Sequence, residues 1–296
     1  MAMTQTEAAR LSNDMLLRGV IETIVKESPV LNLLPFLDVT GTAVRYNREA
    51  SMPSASFYSV GDTWSEGTPT FTEVTTSLKI LGGDADVDNF LQASYSDTND
   101  IEAETIASRA KSVAHKWLEI FYTGNTSVDA EQFDGLARLV PSGQTSYMGA
   151  NGGALTLAAV DELIDAVKPG KPDVLLMAKR TRRKLKALRR ADGISTETQL
   201  AQWGQQVETY DGVPILVDDF CPINEVRGTE TAASSIWALK FGMNIGLMGL
   251  QHGGVTVENV GELETKDATR HRVKWYTGLA LFSELGVARL GGINAS

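Results

Sequence analysis

The sequence predicts an α+β fold: one long helix, several extended strands and one α/β segment. Three observations carry this reading. Residues 98–123, TNDIEAETIASRAKSVAHKWLEIFYT, place Ile106, Ala110, Val113, Ala114, Trp117, Ile120 and Phe121 on one helical stripe. Residues 155–193 alternate helix, buried strand and helix. Residues 42–81 and 268–293 are β-branched or apolar runs punctuated by turn-forming residues.

Taken in order, residues 5–27 form an amphipathic helix through Leu11, Met15, Leu16, Val20, Ile21 and Ile24, which Pro29 stops. A short apolar segment, VLNLLPFLDV (30–39), precedes the strand TAVRYNR (42–48). Residues 49–70 are rich in Ser, Thr, Gly and Pro, yet carry Phe57, Tyr58 and Trp64. FTEVTTSLKIL (71–81) then alternates as a strand opening with Phe71. Two strands joined by so long a polar loop make a hairpin that is marginal alone in water. Its aromatics call for a covering surface, either the chain's own domain or a partner.

The helix over 98–123 has N-cap types at Thr98, Asn99 and Asp100, and Gly124-Asn125 as its stop. At 1.5 Å per residue it is about 38 Å long, a beam rather than a cap. ANGGAL (150–155) reads as a hinge. Thr156 caps a helix carrying Leu157, Val160, Leu163, Ile164 and Val167, followed by the buried strand DVLLMA (173–178). A basic helix spans 180–191, with Leu185, Leu188 and Ala191 as its apolar side. A short helix near 197–204 is expected, then a hairpin over 207–219 turning at Asp211-Gly212, and a strand SIWALKF (235–241). The tail reads as long strands joined near 283–286.

The chain has 296 residues, enough for one large domain or two ordinary ones, and a formal net charge of −10. That balance argues against general affinity for nucleic acid. Against it stands AKRTRRKLKALRR (178–190), where eight of the twelve residues from Lys179 to Arg190 are Lys or Arg. The segment is either a solvated, ion-paired helix face or a nucleic-acid grip. Cys221 is the only cysteine, so no intrachain disulfide forms and thiolate metal sites are excluded. The N-terminal sequence has no apolar signal core, and no run approaches about 18 apolar residues, so synthesis in a cytosol-like compartment without a membrane span is expected.

No catalytic constellation emerges. DADVD (84–88) imitates the start of a calcium loop, but Asn89 and Tyr95 stand where Gly and Glu are needed, which leaves a solvated polar turn. His115, His252 and His271 share no metal-ligand spacing, and His115, beside the long apolar stripe, reads as a structural histidine. Cys221 fits a buried, inert thiol. GLMGLQHGG (246–254) lacks the strand–turn–helix context of a phosphate loop and reads as a turn between strands.

The order of these elements resembles the HK97-fold major capsid proteins of tailed phages. LLRGVIETIVKESPVLNLLPF (16–36) is similar to that family's N-arm. LTLAAVDELIDAVKPGKPDVLLMAKRTRRKLKALRRADG (155–193) is similar to its helix–strand–helix, and YDGVPILVDD (210–219) to its hairpin strand. The resemblance implies an N-terminal arm (1–41), an E-loop hairpin (42–82), a P-domain with the spine helix (83–150), an A-domain (151–255) and returning P-domain strands (256–296). It implies a structural protein without catalysis or cofactor. Copies would form pentamers and hexamers of an icosahedral virion shell, assembled in the host cytoplasm around double-stranded DNA held by non-specific contacts. A separate scaffolding protein, a portal and a decoration protein are the partners it suggests. Phe57, Tyr58, Trp64 and Phe71 would touch neighbouring subunits, as would Arg182, Arg183, Lys186 and Arg190. The alternatives are an encapsulin-type nanocompartment, a soluble α/β enzyme on 155–250, and a nucleic-acid-binding module on the basic helix.

Overall fold

The computed structural model describes residues 29–90, 92, 101–193, 197–200 and 206–294. The expected helix over 5–27 and the caps at 98–100 lie outside them. The chain opens with a short helix α1 (Pro29–Leu33) and strand β1 (Phe36–Asp38). A hairpin follows, β2 (Ala43–Ser51) with β3 (Thr70–Ser77), and then β4 (Lys79–Asp88). The run 71–81 is thus two strands broken at Leu78, not one. The spine helix α2 (Ile101–Thr123) spans 23 residues, about 34 Å. Its stripe is buried as expected, with Trp117 and Phe121 fully covered.

The remainder comprises α3 (Leu136–Leu139), β5 (Thr145–Tyr147), α4 (Leu157–Ala166), β6 (Val174–Met177) and α5 (Lys179–Ala191). Then come β7 (Glu197–Leu200), β8 (Gln206–Tyr210), β9 (Val213–Val217), β10 (Glu225–Arg227), β11 (Glu230–Leu239), β12 (Leu247–Glu262), β13 (Ala268–Leu281) and β14 (Val287–Ile293). Thr156 caps α4, its hydroxyl accepting from the Ala159 amide at 3.3 Å. The hairpin β8–β9 turns at Asp211 and Gly212, both at positive φ, as a two-residue hairpin requires.

Two sheets sandwich the spine. One has the order β1-β12-β13-β4, and the other runs β5-β14-β11-β6-β9-β8-β7 with β10 beside β11. The larger sheet is buried on both faces, which explains its continuous apolar runs. Val174, Leu176, Trp237 and Leu239 point into the core shared with the spine helix. Leu175, Met177, Ile236 and Ala238 point into a second core under α4 and α5. A buried hydrogen bond from Trp117 Nε1 to Thr277 Oγ1 (2.9 Å) ties the spine to β13. Another, from Tyr122 to Asp218 (2.9 Å), ties it to the loop after β9.

Three expectations are corrected. Residues 197–200 are strand, paired antiparallel with β8; pairing at a sheet edge overrides local helical preference. DADVD is no turn but the end of β4, where Ala85 and Val87 are buried and the aspartates between them face outward. GLMGLQHGG enters β12 at Leu247 and runs on within it, with Gly253 and Gly254 at positive φ where the register slips. His115 keeps its structural reading, its ring packed against Phe220 with 5.1 Å between centroids.

Candidate assembly surfaces

Among the described residues, the hairpin β2–β3 is anchored at its base. The Tyr46 hydroxyl donates to the Leu281 carbonyl at 2.7 Å, and its ring meets Phe282 at 4.7 Å. Arg48 donates to the Phe282 carbonyl and pairs with Glu284 at 2.6 Å. Beyond the base, the loop 52–69 is exposed almost throughout. Its tip has order of its own. Tyr58 stacks on Trp64 with centroids 4.5 Å apart, and its hydroxyl lies 2.6 Å from Ser65 Oγ. Asp62 accepts from the Ser59 amide at 2.6 Å. The aromatics nevertheless stay uncovered: Phe57 is 107% exposed, Trp64 77% and Phe71 64%. Of the two covering surfaces the sequence left open, the described residues of the chain's own domain supply none to these three.

Helix α5 buries Thr181, Leu185 and Arg189. The expected apolar side therefore changes: Ala191 is exposed and Arg189 takes the inner position. Arg189 can be buried because it donates to the Thr209 carbonyl at 2.7 Å and lies over the Tyr210 ring. Outward, Lys179, Arg183, Lys186 and Arg190 recur at i, i+4, i+7 and i+11, a stripe along the whole helix. Together with Arg182 and Val217 they line an open groove of about 360 Å³. Lys179 pairs with Asp219 at 2.7 Å. Lys186 and Arg182 share Glu208, at 2.7 and 3.8 Å. The Lys186 hydrogen bond holds the Glu208 carboxyl below its usual range. Arg183 and Arg190 meet no carboxylate among the described residues.

A third charged surface was not foreseen. On the outer face of the smaller sheet, Arg270 lies opposite Asp86 and Arg272 opposite Asp84 in the β13–β4 register. Both pairs are bidentate, at 2.6 and 2.9 Å for Arg270 and 2.7 and 3.0 Å for Arg272. Lys266 adds a bond to Asp86 at 2.6 Å. The Arg270 hydrogen bond keeps the Asp86 carboxyl well below the ordinary range, and the Arg272 bond lowers Asp84. The signal in the sequence was D-x-D in one strand and R-x-R in another, which nothing local connects.

The residues considered for catalysis do not converge. His115 packs on Phe220, His252 Nδ1 lies 2.8 Å from the Val39 carbonyl, and His271 lies 3.0 Å from Glu102. Cys221 is buried, and desolvation pushes its thiol far above the usual value. Among the described residues no group of three His, Cys, Asp or Glu could hold a metal, and no helix is long and apolar enough to cross a membrane.

No family model and no curated protein matches the chain. Solved structures do. The SrpI encapsulin of Synechococcus elongatus PCC 7942 superposes with a TM-score of 0.73 at 19% identity, over 100% of this chain and 98% of that one. The capsid of an empty GTA particle gives 0.65 at 16% identity, over 89% of each chain. A chain from Microbacterium phage Oxtober96 gives 0.66 at 17% identity, over 90% of each. These likenesses establish that the chain has the HK97 fold.

Proposed function

We propose that this chain is a shell subunit: many copies assemble into a closed icosahedral container, as the major capsid protein of a tailed double-stranded DNA phage. The observation that carries the reading is the cantilevered hairpin. It is fixed at its base by Tyr46 and Arg48, and it holds Phe57, Trp64 and Phe71 uncovered by any of the described residues. Apolar area held out in this way is stabilised when a neighbouring copy covers it, so part of each subunit's stability resides in the interface. The likeness to capsid chains over most of their length supports the same reading.

Under this proposal the chain divides into an arm (1–41), an E-loop (42–82), a P-domain (83–150 and 256–296) and an A-domain (151–255). The irregular stretch at 150–155 supports the division between the P-domain and the A-domain. Its role is structural, without catalysis. A scaffolding protein, portal and decoration protein are the accessory partners, the genome is held by non-specific contacts, and assembly takes place in the host cytoplasm. A second reading, an encapsulin-type compartment with a protein cargo, is favoured by the 100% coverage and 0.73 TM-score against SrpI.

The test is particle size and content. The chain, expressed alone and with its candidate scaffold, is expected to form closed shells tens of nanometres across by electron microscopy and light scattering. Packaged DNA in native particles supports the phage capsid, and a co-purifying enzyme supports the compartment. A 32.0 kDa monomer at every salt and protein concentration, with or without scaffold, overturns the proposal.

A further inference from the structure

Helix α5 is a ridge of positive charge on one face of the larger sheet. It holds eight of the chain's 27 cations and no carboxylate, leaving 19 cations against 37 acidic residues elsewhere. Its buried side crosses the sheet. The Thr181 hydroxyl lies 2.9 Å from that of Ser234 on β11, and Arg189 donates to the Thr209 carbonyl on β8, with β6 and β9 between those strands. A concavity lies along each flank. On one, Arg180, Arg183 and Lys184 face Ser234 and Ile293 across about 210 Å³. On the other, Lys179, Arg182, Arg183, Lys186 and Arg190 face Val217 across about 360 Å³. Arg183 lines both, so the basic surface runs unbroken over the ridge.

The bonds within the subunit orient these cations more than they cancel them. Arg180 donates to the Ile223 and Ala232 carbonyls at 3.3 and 2.6 Å, and a neutral carbonyl fixes a guanidinium without removing its charge. Among the described residues, Asp219 and Glu208 are the carboxylates that pair with the helix. The Lys179–Asp219 pair is exposed on both sides, so it is weak and a competing anion can displace it. The lining then says which anion fits. A protein partner needs apolar anchors at the centre of its interface, and the larger groove offers Val217 alone. A phosphodiester backbone needs none. It brings a continuous row of charge, and each phosphate accepts the two-pronged bond that a guanidinium donates. Five of the eight cations of α5 are arginine.

We propose that the exposed ridge of α5 is a nucleic-acid surface, which holds the phosphate backbone of double-stranded DNA without reading its sequence. Arg183, on the crest between the two concavities, and Arg190, about 10 Å further along the same face, are its contacts. The net charge of −10 does not oppose this, because the eight cations are gathered within 13 residues and the acidic excess lies elsewhere. The inference rests on the capsid reading, which supplies the DNA, and assigns the contact with it to one helix.

The experiment measures binding of the full chain, as dissociated subunits, to a fluorescein-labelled DNA duplex of arbitrary sequence, by fluorescence anisotropy across a range of salt. Each phosphate contact contributes about 0.9 to the slope of log affinity against log salt. Arg183→Gln with Arg190→Gln should therefore flatten that slope by about 1.8. Between about 50 and 200 mM salt, the loss of affinity should then be about twelve times smaller than for the wild type. Both residues are exposed, and circular dichroism checks that the fold is kept. Arg45→Gln with Lys116→Gln removes the same charge from exposed sites outside α5 and should leave the slope as it was. If the α5 pair fails to fold, acetylation of the wild-type chain replaces it: the duplex should slow the reaction of Lys179 and Lys186 and leave that of Lys116 unchanged. An unchanged slope in the α5 pair, an equal change in the control pair, or lysines of α5 that the duplex does not shield overturns the inference. So does tighter binding of polyglutamate than of the duplex, which would make the ridge a dock for an acidic protein. Particle formation is scored separately. A wild-type chain that forms no shell defeats the shell reading, while the anisotropy still decides what α5 binds.

Discussion

Gly249 of β12 holds strand β1 in place. In the parallel register of β1 and β12 it lies opposite Phe36, and its amide donates to the Pro35 carbonyl at 3.0 Å. The Phe36 ring sits against Trp117 and Trp275, with centroids 5.9 and 5.6 Å away. A Cβ at 249 would find three ring carbons of Phe36 no more than 3.0 Å off. Gly249→Ala therefore forces the ring out of its place between the tryptophans. Overpacking of this kind costs about 1–3 kcal/mol. Phe36→Ala alone removes the ring; since Phe36 is only partly buried, the loss falls at the low end for Phe→Ala, about 3 kcal/mol. If the steric account is right, the double variant has no ring left to displace. It should be no less stable than Phe36→Ala, a coupling of about 1–3 kcal/mol. Urea unfolding of the dissociated subunit, followed by tryptophan fluorescence, measures all four corners, and Trp117 and Trp275 report the ring's departure directly. Losses that add to within about 0.5 kcal/mol would refute the argument, because independent sites add and a clash with its target removed does not.

Three further outcomes follow from the same contacts. Asp84→Asn with Asp86→Asn breaks the ladder between β4 and β13. Because both carboxyls are depressed in the fold, their contribution is full above the ordinary 3.8 and fades as pH falls through the folded values. The deficit against wild type in urea midpoint should be constant from pH 7 to about pH 5 and shrink below about pH 4. Tyr122→Phe removes a buried donor from Asp218, whose carboxyl is already raised by burial. The loss should be about 1–3 kcal/mol and larger at pH 7 than at pH 4, since the protonated acid needs the donor less; equal losses at both pH values would argue against a charged acceptor. Deleting 53–67 should leave a folded subunit that fails to close shells, checked by circular dichroism and electron microscopy, and normal particles would remove the loop's assigned role.

What could be read from the sequence was whatever local period encodes. The stripe from Ile106 to Phe121 and the runs at 174–177 and 235–239 were legible because one or both faces are buried, and burial writes itself into spacing. Pairing across distance is not written that way. Asp84 and Asp86 lowered the strand signal of their own segment, and only Arg270 and Arg272, far along the chain, make them good strand residues. Gly249 looked like loop because the ring that forbids a side chain there comes from residue 36. Arg189 looked like surface because its carbonyl partner sits on β8.

The candidate site divides along the same line. Phe57 and Trp64 were legible as aromatics out of place in a polar loop, and Phe71 as the opening of a strand; the described residues leave all three uncovered. Arg182 and Lys186, grouped in the sequence with Arg183 and Arg190, separate from them only once Glu208 is in view. A charge count treats all four alike. Geometry pairs Arg182 and Lys186 with Glu208 on β8 and leaves Arg183 and Arg190 without a carboxylate among the described residues, a division set by a strand that local sequence around the helix does not contain.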